Sequence, residues 1–80
     1  MTKLVSGVET PKGQGSHNFK VVSTTGDVKL QYRVSDEGFT YIDGATFTGA
    51  TDAGVTVDLP SCIVKVIITG DGVAHLNLIR

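Results

Sequence analysis

The chain has 80 residues and 8.4 kDa, with seven Lys and Arg against eight Asp and Glu for a net charge of -1. That length holds one small domain with a thin core, burying roughly 60% of the unfolded chain's surface, and the charge leaves no basic footprint for nucleic acid or an anionic membrane. Val, Ile and Thr make up 26 residues, which favours strands over helices, and the single cysteine, Cys62, excludes an internal disulfide and a zinc site built on several thiolates.

The first ten residues, MTKLVSGVET, lack the apolar run of a secretory signal, so synthesis and retention in a cytosol-like compartment is the expectation. The longest apolar stretch, Cys62 to Ile68, is interrupted by Lys65 and is far shorter than the roughly 20 residues that span a bilayer as a helix. Residues 1–16 carry Gly7, Pro11, Gly13 and Gly15 with little periodicity, and read as an extended N-terminal arm ahead of a single β domain over 17–80. Such an arm is most simply a frayed terminus; Leu4, Val5 and Val8 favour the alternative that it lies across a neighbouring subunit, because apolar side chains want a surface to lie against.

From His17 the pattern becomes short β-like runs separated by turn residues. His17 to Ser23 reads as a strand, followed by a turn over 23–27. Val28, Leu30, Tyr32 and Val34 then alternate strictly with Lys29, Gln31 and Arg33, which puts one face of this strand in the core. After the turn Ser35-Asp36-Glu37-Gly38, the dipeptide Asp43-Gly44 predicts a tight hairpin between Phe39–Ile42 and Ala45–Thr48. A loop over 49–54 leads into Val55, Val57 and Leu59, and this strand stops at Pro60, which has no N–H for a central ladder. Cys62 to Thr69 is the most apolar strand, with Cys62, Val64, Val66 and Ile68 on one face and Ile63, Lys65 and Ile67 on the other. Thr69-Gly70-Asp71-Gly72 turns the chain into Val73 to Ile79, where Ala74, Leu76 and Leu78 face inward and His75 and Asn77 outward. No segment shows helical spacing. The predicted class is all-β: a small antiparallel β-sandwich, jelly-roll-like, or a compact barrel, of six to seven strands with the extended N-terminal arm.

Cys62, His17 and His75 are the only residues that suggest a nucleophile with its base, and each has a plainer role. Cys62 shares the parity of Val64 and Val66 and reads as a small buried hydrophobe; His75 reads as a solvated surface residue and His17 as an ordinary strand start. The six aspartates fall mostly in turns, where Asp bonds the backbone, and no calcium-loop spacing occurs. The glycine-rich stretches Gly13-Gln14-Gly15 and Gly70-Asp71-Gly72 match no phosphate-binding motif, so no catalytic residue, cofactor or metal is expected. Phe19, Phe39, Phe47, Tyr32 and Tyr41 read as core residues, Tyr32 on the face of Val28 and Leu30. An exposed Tyr41 or Phe39 would instead favour stacking on a sugar.

Over residues 26–80, an alternating strand is followed by the Ser35-Asp36-Glu37-Gly38 turn, an aromatic strand, the Asp43-Gly44-Ala45 step, Val55-Thr56-Val57-Asp58-Leu59-Pro60, the apolar strand from Cys62 and a closing strand after a glycine turn. This succession, about two thirds of the chain, resembles small β-sandwich structural proteins of tailed bacteriophage virions, of the head decoration or cement type. The resemblance implies a non-enzymatic structural protein made in the host cytoplasm and placed on the capsid surface of the virion. Its implied partners are the major capsid protein and further copies of itself, as a homotrimer, with neither nucleic acid nor membrane. A tail, fibre or adhesin-type module binding a carbohydrate or protein ligand is the alternative. The two-faced strand offers a subunit contact: Ile63 and Ile67, with Val73 and Ile79 as neighbours.

Overall fold

A computed structural model describes residues 2–79. It contains eight strands and no helix: β1 (Thr2–Leu4), β2 (Thr10–Lys12), β3 (Gly15–Ser23), β4 (Gly26–Arg33), β5 (Thr40–Thr48), β6 (Thr51–Leu59), β7 (Cys62–Gly70) and β8 (Val73–Leu78). They form two four-stranded sheets, ordered β1-β8-β3-β6 (sheet A) and β2-β7-β4-β5 (sheet B). All pairings are antiparallel, and β1 with β8, β2 with β7, β3 with β6 and β4 with β5 form one long ribbon. The ribbon rolls up when β3 also pairs with β8 and β4 with β7, which is a jelly-roll sandwich.

Alternation builds the core. His17, Phe19 and Val21 from β3, Val28 and Leu30 from β4, Val64 and Val66 from β7, and Ala74 and Leu76 from β8 are buried between the sheets. Phe19 of sheet A stacks on Phe47 of sheet B, with ring centroids 6.3 Å apart.

Two expectations are corrected. The N-terminal arm does not extend away: β1 and β2 lie on the edges of sheets A and B, and Leu4, 4% exposed, belongs to the core. Pairing with β8 and β7 satisfies backbone groups that an extended arm would leave to water, and brings the strand number to eight. The Asp43-Gly44 hairpin does not form either, since β5 runs unbroken from Thr40 to Thr48. Thr46 pairs with Lys29 but Tyr41 pairs with Gln31, so four residues, 42–45, face the single Leu30 on β4. Gly44, at φ 82°, supplies the left-handed conformation that this bulge needs.

At one end of the sandwich, Asp71 ties the β7–β8 turn to the β3–β4 turn. Its carboxylate accepts the N–H of Thr24 at 2.9 Å, the N–H of Thr25 at 3.0 Å and the Thr24 hydroxyl. The Thr24 hydroxyl first, then the two backbone donors, hold the Asp71 carboxyl down at about 2. The folded protein thus binds this proton more weakly than the unfolded chain, where Asp titrates at about 3.9. Its stabilisation is complete above the unfolded value and disappears as pH falls through about 2. Melting curves from neutral to strongly acid pH should show the wild type losing its advantage over Asp71→Asn in that window. Parallel curves for the two proteins would show that the carboxylate does not couple the turns.

Candidate functional site

The outer faces of the two sheets differ in chemistry. On sheet A the outward side chains of β3 and β6 are polar apart from the exposed Val22, and two pairs are matched: the Ser16 hydroxyl donates to Asp58 at 2.5 Å, and Lys20 Nζ meets Asp52 at 2.8 Å. On sheet B the outward positions carry two isoleucines, two aromatic rings, three cations and an amide. The central row runs across three strands as Tyr41 on β5, Gln31 on β4 and Lys65 on β7.

The bulge places the aromatic rings. Ala45 is buried on the core side and Phe47 packs against the core, so strict alternation back along β5 would turn Asp43, Tyr41 and Phe39 inward as well. Three extra residues, an odd number, reverse that parity. Ile42 then packs against the core, while Tyr41 pairs beside the outward Gln31 and Phe39 lies beneath two cations. Lys65 Nζ sits 4.1 Å from the Phe39 ring centroid and the Arg33 guanidinium 5.4 Å from it; Lys29 Nζ is 5.8 Å from the Tyr41 ring. The core role expected for Phe39 and Tyr41 is therefore corrected, whereas Phe19 does fill the core and Phe47 and Tyr32 pack against it.

Two of the cations face carboxylates at the rim: Arg33 with Glu9 at 3.1 Å and Lys29 with Asp27 at 3.9 Å. Among the described residues Lys65 has no carboxylate partner. Gln31 is only 9% exposed although its strand position faces outward, and its Oε1 is buried without a donor among the described residues. An acceptor left unpaired in this way costs on the order of 1–3 kcal/mol. The face is open, with no cavity among the described residues.

Comparison with protein families, curated proteins and solved structures finds no match for the chain. Its chemistry has to be read from its own side chains.

The structure separates the residues expected at one subunit contact. Ile63 and Ile67 are half-buried on the outer face of sheet B, flanking Lys65. Val73 pairs with Val22 on sheet A, and the Ile79 N–H bonds the Ser16 carbonyl at the opposite end of that sheet. The four cannot form one patch, because β7 and β8 belong to different sheets. Of the expected arm contacts, Leu4 is used internally, whereas Val5 and Val8 are 62% and 51% exposed.

Cys62 is buried at the start of β7, and burial pushes its thiol above the ordinary value, away from the reactive thiolate. His75 pairs with Lys3 and Lys20 on the outer side of sheet A. His17, expected to be an ordinary strand start, is fully buried, with Nε2 3.1 Å from the Gly13 carbonyl and Nδ1 without a partner among the described residues. The buried amide of Gln31 and the cation–ring pairs leave no mark in the sequence that identifies them. The strict alternation around Gln31 marks it as outward, but nothing local shows that neighbouring strands will cover it.

Proposed function

We propose that this chain is a non-enzymatic structural protein of a tailed bacteriophage virion, a head-decoration or cement subunit that binds the outer head surface and stabilises it. Its partners in this reading are the major capsid protein and other copies of itself, as a homotrimer. The observation that carries the reading is the apolar turn between β1 and β2. Val5 and Val8 project from it, and the turn is closed by the Val8 N–H on the Val5 carbonyl at 3.1 Å. It is pinned to β7 by the Gly7 N–H on the Val66 carbonyl at 2.8 Å and by the Ile68 N–H on the Ser6 hydroxyl at 2.9 Å. Two exposed valines on a fixed turn make a preorganised knob, which loses little freedom on entering a hollow in a neighbouring protein. The succession of strands and turns and the jelly-roll sandwich also fit such a module.

Quantitative peptide mass spectrometry on purified virions tests this reading. A copy number comparable with that of the shell protein is expected, and the double variant Val5→Ser, Val8→Ser should be depleted from particles while keeping its fold. A handful of copies would move the protein to a tail or a single vertex, and complete absence would sink the structural role. One observation favours a carbohydrate-binding adhesin-type module instead: Tyr41, 51% exposed, lies on the same face as Phe39.

A further inference from the structure

From the outer face of sheet B we infer that the protein has a binding site for a glycan that carries sparse carboxylates, such as a polymer with a sugar acid at every second position. The inference rests on the carbohydrate reading above and names the class of sugar.

Three features define the ligand. The exposed Tyr41 ring offers a flat apolar surface whose electron-rich face suits the C–H side of a pyranose. Next to it, Gln31 is nearly buried and its amide oxygen has no donor among the described residues; a half-turn of the amide exchanges that oxygen with the amide nitrogen, and a hydroxyl, which can both donate and accept, pairs with either. On the far side of Gln31, Lys65 has no carboxylate of its own among the described residues, so a ligand carboxylate can make the charge-assisted bond there. The row Tyr41–Gln31–Lys65 crosses two strand spacings, roughly 10 Å, which suits adjacent sugar units lying across the sheet.

The rim decides how much charge the ligand carries. Glu9 and Asp27 already engage Arg33 and Lys29, and Asp36 and Glu37 stand exposed on the β4–β5 connection. Among the described residues this face holds one cation without a carboxylate partner, and the acidic rim around it repels a dense polyanion such as a nucleic acid, which needs several unengaged cations. The face accepts an isolated carboxylate surrounded by hydroxyls. A carboxylate on its own would satisfy Lys65 but leave the Gln31 amide and the Tyr41 face unused, and the open surface, with no cavity among the described residues, suits an extended chain of sugars.

The test is a backbone amide chemical-shift titration of the full chain with a hyaluronate octasaccharide. Chitohexaose serves as the neutral comparator, and polyglutamate and a thymidine decamer as dense polyanions. Saturable shifts on β4, β5 and β7 are expected with hyaluronate, weakened by salt. Affinity should fall at least tenfold in Tyr41→Ala, which removes an exposed ring and keeps the fold, and in Lys65→Gln. Equal binding of chitohexaose would overturn the requirement for a carboxylate while leaving the carbohydrate reading in place. Equal or tighter binding of polyglutamate or the thymidine decamer would overturn the sugar class. No binding of either glycan, or binding indifferent to Tyr41→Ala, would overturn the site together with the carbohydrate reading.

Discussion

Gly26→Ala should destabilise the domain by about 2–5 kcal/mol, the sum of a backbone penalty and an overpacking penalty. Gly26 opens β4 at φ 83°, where an L side chain is strained by about 1–2 kcal/mol. It also pairs directly with Gly70 of β7, and an added Cβ would run into the Thr69 carbonyl. The obstacle is backbone in a paired strand, so it cannot turn aside as a flexible side chain would. Gly44→Ala separates the two penalties: its φ is 82°, but nothing lies within 4 Å of the added atom. Chemical denaturation of both variants should therefore show a loss of about 1–2 kcal/mol at position 44 and a distinctly larger one at 26. Equal losses would mean that β7 moves aside freely and that the approach of the two strands is not a constraint.

Phe19→Ala should remove about 3–5 kcal/mol. Phe19 has no exposed surface, lies on the central strand β3 and stacks on Phe47 across the sandwich. Truncation loses the transfer energy of the ring and leaves a cavity that the two hydrogen-bonded sheets cannot close by moving together. A domain of this size has only about 4–12 kcal/mol in total, so the change takes a large share of it. At about 4–8 °C per kcal/mol, the melting temperature should fall by at least about 12 °C. Phe39→Ala is the comparison, because that ring sits outside the core under Lys65 and Arg33. A similar loss at both positions would contradict the division of the aromatics between core and outer face.

The inward faces of the central strands are legible in the sequence because alternation is a local signal. Val28 and Leu30, Val64 and Val66, Ala74 and Leu76 can each be assigned from the period of their own segment, and Cys62 follows from its parity with them. The candidate site is legible only in part. Ile63, Lys65, Lys29 and Gln31 are outward by the same parity, but the aromatic members of the face are not, because Asp43-Gly44 is as good a hairpin turn as it is a bulge.

By itself the sequence determined an all-β domain with one face of each central strand committed to a core, because β-branched residues and period-two spacing act within a few neighbours. Tertiary structure decided what depends on distant partners. Residues 2–4 and 10–12 became edge strands only because β8 and β7 present unpaired backbone to them. Pairing with the uninterrupted β4 made 42–45 a bulge, and that odd insertion turned Phe39 and Tyr41 outward. The same pairings set Gln31 between Tyr41 and Lys65, which left a buried amide oxygen on a face that the chain's own periodicity assigns to solvent.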